Sequence, residues 1–370
     1  MTEKNFRIHR CLLPLSVLYG WGVSVRNKLY DWNWKKTKSF DLPVICIGNL
    51  SVGGTGKTPH TEYLIRLLQQ EGLQVATLSR GYKRHTKGYK LADTQSTAAQ
   101  IGDEPCQMKQ KFPEVRVAVD ENRCHGIEQL MQLKQPEVDV VLLDDAFQHR
   151  AVKAGLNILL TDYNRLFCDD RLLPAGRLRE SADGMQRAQL VVVTKCPEDI
   201  KPIDFNIIGK KLNLFPYQKL FFSTFRYGDL QPLQKAAQQS FRPLKHFTGE
   251  EEVLLVTGIA SPQPLVEKVK RHTPHVTLMA FDDHHDFTPR DLKQITERFL
   301  NMKEGNRYLI TTEKDAVRLT VHPHFNEILK AGSYLLPIGI EILQNQQELF
   351  NQNIIGYVRA HSRNSSLPQK

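Results

Sequence analysis

The sequence lacks the cysteine patterns of secreted and zinc-binding proteins. Its 370 residues include six cysteines, none in a C-x-x-C pair, and no histidine cluster lies beside them. We therefore expect reduced, mostly buried thiols in a cytosolic protein without structural zinc. Internal repeats and low-complexity blocks are also missing, and 41% hydrophobic with 24% charged residues is typical of a globular protein.

The apolar stretch near the N-terminus is too short to span a membrane. Cys11–Val25 carries no charge, but a spanning helix needs roughly 20 apolar residues. Basic residues flank the stretch on both sides: Arg7, Arg10, Arg26 and Lys28. Two interpretations stay open, a helix buried in the core and a helix lying in a membrane interface. The flanking charges and the rings of Tyr19 and Trp21 favour the interface.

The net charge of the chain is positive, with 50 Lys and Arg against 40 Asp and Glu, or +10 at pH 7. A basic surface suits nucleic acid, an anionic membrane or a phosphorylated substrate. The charge alone does not choose among these partners.

The first half of the chain alternates β-branched runs with helical patterns. Six strands are predicted, at Pro43–Asn49, Gln74–Ser79, Val115–Asp120, Val138–Asp145, Leu156–Asp162 and Gln189–Lys195. The clearest helix is Thr58–Gln70, which ends before Gly72. Nearly continuous apolar strands separated by helices predict an α/β fold, a parallel sheet with helices on both faces. The glycine-rich segment at 51–58, between the first strand and the first helix, makes the predicted fold P-loop NTPase-like.

A second, smaller α/β pattern follows a looser stretch. Strands are predicted at Glu252–Ala260, His275–Phe281, Arg307–Thr312 and near Ser333–Ile340, with helices at Pro262–Arg271 and Pro289–Met302. The predicted domains are an N-terminal helix at 1–35, an ATP-binding domain at 36–217, a connector at 218–247, a smaller α/β domain at 248–358 and a frayed tail at 359–370.

A glycine-rich segment between the first strand and the first helix has the context of a phosphate-binding loop. Its end fits G-x-x-x-x-G-K-[ST], although Ser51 replaces the first glycine. The predicted nucleotide-binding residues are Ser51, Val52, Gly53, Gly54, Thr55, Gly56, Lys57 and Thr58. Glycines let the backbone turn its N–H groups toward a phosphate. Lys57 is predicted to reach the β- and γ-phosphates and Thr58 to bind Mg²⁺.

Two adjacent carboxylates end a predicted buried strand. Asp144 and Asp145 follow four apolar residues, and ligands of parallel sheets bind beyond the carboxyl ends of strands. We therefore predict that this pair binds Mg²⁺, and either residue of the pair is a candidate for the direct contact.

The class of phosphate-loop protein is narrowed by two missing residues. Thr194 and Lys195 begin a guanine-reading motif, but Pro197 stands where its aspartate belongs, so GTP is excluded. Val52 stands where partitioning ATPases place a second lysine. This disfavours a partner-activated ATPase switch but does not exclude it. Two functions stay open at this point, a kinase of a soluble sugar or vitamin precursor and a nucleotide-switched ATPase adaptor.

Several further motifs occur in an order that resembles one enzyme family. They are GNLSVGGTGKTP, SRGYKR, GDEP, LDDAFQHR, LPAGRLRE, VTGIASP, DHHDF and TTEKDAVR. Together, over about Leu12 to Ile340, they are similar to the tetraacyldisaccharide 4'-kinases, the lipid A 4'-kinases of Gram-negative bacteria. Ala146 replaces a glycine usual in that family, whereas Ser51 is normal for it.

The resemblance implies a kinase of two α/β domains that uses ATP and Mg²⁺. The γ-phosphoryl of ATP would pass to the 4'-hydroxyl of an acylated glucosamine disaccharide 1-phosphate, a late step of lipid A biosynthesis. By the motif match, Asp103 falls on the general base and His284 on its orienting partner. The metal- and phosphate-handling positions fall on Asp144, Asp145, Arg179 and Glu180, and Lys57 completes the catalytic set.

The resemblance also implies where the protein works. Its substrate is an amphiphile, so we expect a peripheral enzyme on the cytoplasmic face of the inner membrane. The expected partners are the lipid substrate and the membrane surface. Neither nucleic acid nor a protein partner is inferred.

Overall fold

The computed structural model describes residues 8–233, 241–259, 261–283, 285–320 and 322–361. The chain forms two compact units. The first comprises Met1–Phe225 with Ile340–Lys370, and the second comprises Arg226–Gly339.

The first unit is built on a large sheet that has nine strands among the described residues, in the order β14-β8-β7-β6-β1-β5-β2-β4-β3. The strands are β1 Val44–Asn49, β2 Val75–Ser79, β3 Lys90–Leu91, β4 Arg116–Val119, β5 Val140–Asp144, β6 Leu156–Asp162, β7 Leu190–Thr194, β8 Lys219–Tyr227 and β14 Ile338–Ile342. The central pairs from β4 to β8 are parallel. The six predicted strands are all present, which confirms the predicted fold class.

The first unit has seven α-helices among its described residues. They are α1 Leu13–Asp31, α2 Lys57–Gln70, α3 Ala98–Ile101, α4 Asp103–Lys111, α5 Arg123–Met131, α6 Pro202–Leu212 and α11 Gln347–His361. In α2, Leu64, Ile65 and Leu68 are at most 1% exposed. Fully burying each such side chain stabilises the fold by about 1.5–3 kcal/mol. The helix therefore holds the preceding loop at the carboxyl end of β1, in the middle of the sheet.

The second unit contains a smaller sheet with the order β11-β10-β12-β13-β9 over its described residues. The strands are β9 Gln231–Pro232, β10 Glu252–Thr257, β11 Val276–Ala280, β12 Arg307–Thr311 and β13 Ser333–Leu335. The helices are α7 Gln263–Lys270, α8 Pro289–Leu300, α9 Glu313–Thr320 and α10 Glu327–Gly332. β10 pairs in parallel with β11 and β12, so this unit also has the predicted α/β character.

The unit boundaries differ from the predicted domain boundaries. The expected connector at 218–247 contains strands β8 and β9, and the expected single strand near Ser333–Ile340 forms β13 and β14 in two different sheets. The chain returns to the first unit with α11, inside the stretch assigned to the smaller domain. Periodicity reports local structure and carries no information about which sheet a strand joins. Of the expected frayed tail at 359–370, residues 359–361 end α11 and the others lie outside the described residues.

The N-terminal helix α1 exposes its apolar residues instead of burying them. Val17, Leu18 and Trp21 are 67–72% exposed, whereas Ser16 and Gly20 are buried. The Ser16 hydroxyl donates to the carbonyl of Leu172 at 3.0 Å. The alternative of a core helix is therefore wrong, because the small residues of α1 face the protein. No helix in the described part of the chain has the length and hydrophobicity to cross a membrane.

Candidate active site

The glycine-rich segment is a strand–loop–helix turn, as predicted. It leaves β1 after Asn49 and enters α2 at Lys57. Gly53 and Gly56 have φ values of +107° and +84°, which glycine adopts without the steric cost of a side chain. A Cβ on Gly56 would also lie 3.2 Å from Phe225 Cζ. The loop therefore requires glycine at these two positions.

The LPAGRLRE motif lies directly against the loop. The Val52 N–H donates to the carbonyl of Arg177 at 2.7 Å, and the Arg179 N–H donates to the carbonyl of Leu50 at 2.7 Å. Ser51 and Leu178 form an antiparallel bridge. These backbone bonds place the arginines of the motif beside the predicted phosphate site.

Four of the predicted catalytic residues meet: Lys57, Arg179 and Asp144 lie around Asp145. Lys57 Nζ lies 3.6 Å from Asp145 Oδ1. Arg179 donates from one terminal nitrogen to both carboxylate oxygens of Asp145, at 2.9 and 3.1 Å. Asp144, the preceding residue, is buried and accepts a hydrogen bond from the Thr61 hydroxyl at 3.3 Å. Two cations and two carboxylates thus meet where β5 ends and α2 begins.

The two carboxylates of the pair have opposite pKa shifts. Burial and the charge of Asp145 raise the pKa of Asp144 to about 7, against the opposing effect of Lys57. Burial also acts to raise the pKa of Asp145, but the charges of Lys57 and Arg179 outweigh it and the net shift is downward. Asp145 has φ of +49°, a conformation that costs energy for a non-glycine residue and is concentrated at functional sites.

The raised pKa of Asp144 predicts a specific pH dependence of stability. A carboxyl whose folded pKa is about 7, above its ordinary 3.8, contributes stability at low pH that is lost as pH rises through 7. The Asp144→Asn variant lacks this titration. Its free energy of unfolding should therefore rise relative to wild type between pH 4 and 8, by up to about 4 kcal/mol. Urea unfolding of both proteins with EDTA and without nucleotide measures this; parallel pH profiles would contradict it.

The GDEP motif is positioned by a close approach of two loops. Asp103 is the first residue of α4 and only 7% exposed. Gly102 precedes it with φ of +92°, and a Cβ there would lie 3.1 Å from Gly81 Cα. The next residue, Glu104, is near enough to the acidic pair to raise the pKa of Asp144. The SRGYKR loop, the predicted base and the acidic pair therefore belong to one neighbourhood of the first unit.

The SRGYKR loop lines a basic cavity of about 660 Å³ together with the residues that follow it. Residues 80–87 and Glu121 form its walls. Arg84 is paired with Glu121 at 2.5 Å, while the loop also contributes Arg80, Lys83 and Lys87. The cavity has the charge to receive an anionic group.

His284 lies outside the described residues, but both of its neighbours in sequence are held by α9. Lys314 Nζ lies 2.7 Å from Asp283 Oδ1. Arg318 donates to the carbonyl of His285 at 2.8 Å. The TTEKDAVR motif thus holds Asp283 and His285 within the second unit.

Glu180, a predicted metal ligand, makes only protein contacts here. It is fully buried, and its Oε1 accepts from Gln148 at 2.9 Å and Arg187 at 2.7 Å. Its Oε2 accepts from Asn27 of α1 at 3.2 Å. Both oxygens thus bind protein side chains, and Glu180 links α1 to the LPAGRLRE motif. Among the residues that the structure describes, no three His, Cys, Asp or Glu side chains are grouped so that they could hold a metal ion.

The helix α1 reaches the site at further points. The Tyr19 hydroxyl donates to the carbonyl of Arg179 at 2.9 Å. Arg26 donates to the carbonyl of Gln148 at 3.3 Å. The exposed apolar helix and the predicted catalytic residues are therefore in direct contact.

Sequence reasoning missed one residue that binds the phosphate loop and one that lies near the acidic pair. His60 donates from Nδ1 to the carbonyl of Gly56 at 2.7 Å and accepts at Nε2 from the Ser223 hydroxyl at 2.9 Å. Burial lowers the pKa of His60 to about 4, so the ring is neutral at pH 7. Arg123 is buried near the acidic pair, and burial lowers its pKa to about 10 against the charges of both aspartates. Each residue lies near the start of a helix, and neither belongs to a sequence pattern that would mark it as part of the site.

The fold and the loop define the chain as a P-loop kinase: a parallel sheet, a glycine-rich turn ending in Lys57–Thr58, and an acidic pair beyond the neighbouring strand. Residues 8–356 match the family of tetraacyldisaccharide-1-P 4'-kinases. The chain belongs to this family, which confirms the predicted ATP-dependent kinase class and its place in lipid A biosynthesis.

Curated relatives and a solved structure agree with this assignment. A tetraacyldisaccharide 4'-kinase of Bacteroides fragilis strain YCH46 is 62% identical, over 100% of this chain and 98% of the relative. The enzyme of that name from Porphyromonas gingivalis strain W83 is 44% identical, over 95% of this chain and 98% of the relative. The crystal structure of LpxK from Aquifex aeolicus in complex with ATP has a TM-score of 0.70 at 30% identity, covering 94% of this chain and 98% of that one.

Proposed function

We propose that this protein transfers the γ-phosphoryl group of ATP to the 4'-hydroxyl of a tetraacyldisaccharide 1-phosphate, with the roles of individual residues as follows. The observation that supports this most is the convergence of Lys57 and Arg179 on Asp145, beside the loop. Phosphoryl transfer depends on positioning and on neutralising the charge of the phosphate oxygens. Lys57 and Arg179 supply that charge when ATP enters, and Asp145 holds both in place beforehand.

Asp103 is the general base of the proposed reaction. A carboxylate within hydrogen-bond reach of a sugar hydroxyl accepts its proton as the bond to phosphorus forms. Asp103 starts α4, next to the loop that lines the basic cavity at 80–87, and its neighbour Glu104 is close to Asp144. The motif match gives His284 the role of orienting partner, and α9 holds Asp283 and His285, its neighbours in sequence.

The residues around Asp144 suit a magnesium ion. The Thr58 hydroxyl and carboxylate oxygens of the acidic pair are the hard oxygen ligands that Mg²⁺ takes. The raised pKa of Asp144 also fits a magnesium site. Burial disfavours the charged form of this carboxyl, and a bound cation would offset that effect. Mg²⁺ bound there would neutralise charge on the β- and γ-phosphates.

The acceptor binds through two complementary surfaces in this proposal. The basic cavity at 80–87 receives anionic groups of the disaccharide phosphate. The exposed apolar residues of α1 contact acyl chains at the cytoplasmic face of the inner membrane, where the protein is peripheral. Contacts of Tyr19 and Asn27 with Arg179 and Glu180 connect that surface to the site.

A comparison of an acylated with a deacylated acceptor tests this function. The protein is incubated with γ-labelled ATP, Mg²⁺ and either a detergent-solubilised acylated disaccharide monophosphate or its deacylated, soluble counterpart. We expect label in the acylated lipid and at least a hundredfold lower kcat/KM for the soluble sugar, since acyl contacts supply the difference. Equal use of both acceptors would favour the soluble-substrate kinase. ATP hydrolysis without transfer to either acceptor would favour the nucleotide-switched adaptor.

Replacing the exposed apolar residues of α1 should weaken binding to membranes and to the lipid substrate alone. The variant V17S/L18S/W21S removes three side chains that are 67–72% exposed, so the fold should survive. We expect less sedimentation with anionic liposomes and a higher KM for the lipid, with the KM for ATP unchanged. Each basic flank residue adds about 1 kcal/mol that salt screens, so wild type should dissociate in part as salt rises.

A control for the α1 variant removes exposed apolar side chains elsewhere. I203S/I207S/L349S changes residues that are 41–59% exposed on α6 and α11. It should sediment like wild type. The membrane proposal fails if both triple variants lose liposome binding equally, or if wild type does not bind liposomes.

A further inference from the structure

The Thr194–Lys195 pair at the end of β7 resembles the start of a guanine-reading motif, yet Pro197 stands where the aspartate of that motif belongs. In the structure both residues bind the phosphate loop. The buried Thr194 hydroxyl donates to the carbonyl of Thr55 at 2.9 Å. Lys195 Nζ donates to the carbonyl of Gly54. Two consecutive residues therefore hold two consecutive carbonyls of the loop.

Lys195 is itself held from the neighbouring strand. Its ammonium lies 2.7 Å from Asp162 Oδ2, at the end of β6. The other oxygen of Asp162 accepts from the backbone N–H of Asn164 at 2.8 Å, which fixes the carboxylate. Lys195 also has φ of +57°, a costly conformation for a non-glycine residue that persists only where its surroundings maintain it.

These contacts decide which way the loop amides point. A trans peptide holds its carbonyl and the following N–H on opposite sides. With the Thr55 carbonyl bound by Thr194, the N–H of Gly56 points away from β7. With the Gly54 carbonyl bound by Lys195, the N–H of Thr55 points away as well and donates to Gly53 at 3.1 Å.

We propose that Lys195, together with Thr194 and Asp162, is a positioning residue that sets the phosphate loop in its ATP-binding conformation; this inference rests on the proposed role of Ser51–Thr58 in binding the phosphates. Because Asp162 neutralises the ammonium, Lys195 contributes geometry and not net charge. The loop amides are then oriented before ATP binds, which removes an ordering cost from binding.

The Lys195→Met variant tests this inference. Met keeps most of the side-chain length and loses the bonds to Gly54 and Asp162. We expect the Kd for MgATP to rise about tenfold, as for the loss of a charged hydrogen bond, while the KM for the lipid changes less than twofold. Lys211→Met is the matched control, since Lys211 pairs with Asp169 at 2.7 Å on the same unit and makes no contact with the loop in the hydrogen bonds described. It should leave both values unchanged.

Two further variants separate positioning from general damage. Asp162→Asn should weaken ATP binding less than Lys195→Met, and the double variant should be no worse than Lys195→Met, because the residues act as one unit. Thr194→Ser keeps the hydroxyl and should bind ATP like wild type. Thr194→Val keeps the shape but loses the hydroxyl that donates to the Thr55 carbonyl, so it should bind ATP more weakly.

The outcomes distinguish failure of this inference from failure of the proposed function. If Lys57→Ala abolishes transfer but Lys195→Met binds ATP like wild type, the positioning role is wrong. The same conclusion follows if Lys195→Met raises the ATP and lipid constants equally, or if the losses from Lys195→Met and Asp162→Asn are additive. If Lys57→Ala retains normal transfer, the loop itself is not the phosphate site and the proposed function fails first.

Discussion

Replacing Lys57 by Ala should abolish nearly all phosphoryl transfer. The lysine begins α2, its side chain is largely buried, and its ammonium lies 3.6 Å from Asp145, so it acts where water competes weakly. Losing such a contact to developing phosphate charge should raise the barrier by on the order of 3 kcal/mol or more, a loss above about a hundredfold in kcat. Initial rates at saturating ATP and lipid measure the effect.

The loss should be specific to the site and not to the fold. Lys57→Ala also leaves Asp145 with Arg179 as its remaining close cation among the ion pairs described, so the pKa of Asp145 should rise while the protein stays folded. Lys211→Ala, on the surface of the same unit, should keep normal turnover. Near-normal turnover of Lys57→Ala would show that Ser51–Thr58 is only a turn.

Replacing Asp103 by Ala should lower kcat by about 10²–10⁴, with little change in the KM for ATP. The carboxylate lies at the start of α4 and is almost buried, a position suited to one proton acceptor in a site that excludes water. Asp103→Asn keeps the shape and should lose nearly as much activity, because an amide does not accept the proton. A variant with full kcat and a raised KM for ATP would assign Asp103 to nucleotide binding instead.

A cycle with His284 tests whether the two residues act together. His284→Ala should cost less than Asp103→Ala, and the double variant should be no worse than Asp103→Ala. Additive losses would show that the residues have separate roles.

The sequence predicts the fold of the first unit well because its strands are apolar and its turns are marked. β1 and the Gly53–Thr58 loop are recognisable from the spacing of apolar residues and glycines alone. Membership in one sheet or the other is not a local property. For this reason β14 and α11 were assigned to the wrong unit from the sequence.

The candidate site was predictable where a motif carries a known chemistry and not where a contact depends on the fold. Lys57, Asp145 and Arg179 come from separate motifs and do meet. Glu180 follows Arg179 in sequence, yet its side chain binds Gln148 and Arg187 instead of facing the loop. The spacing of apolar residues in the sequence also did not show which face of α1 is exposed. The structure shows it, because the small residues Ser16 and Gly20 pack against Leu172 and the apolar side chains point outward.

The position of the transferred phosphate tests the central claim most directly. The protein is incubated with ATP, Mg²⁺ and the tetraacyldisaccharide 1-phosphate, and the product is examined by phosphorus-31 and proton correlation spectroscopy. The account predicts one new phosphate monoester, coupled to the proton at C4', that is missing with Lys57→Ala. A phosphate at another hydroxyl, a pyrophosphate at C1, or inorganic phosphate without a bisphosphate product would contradict it.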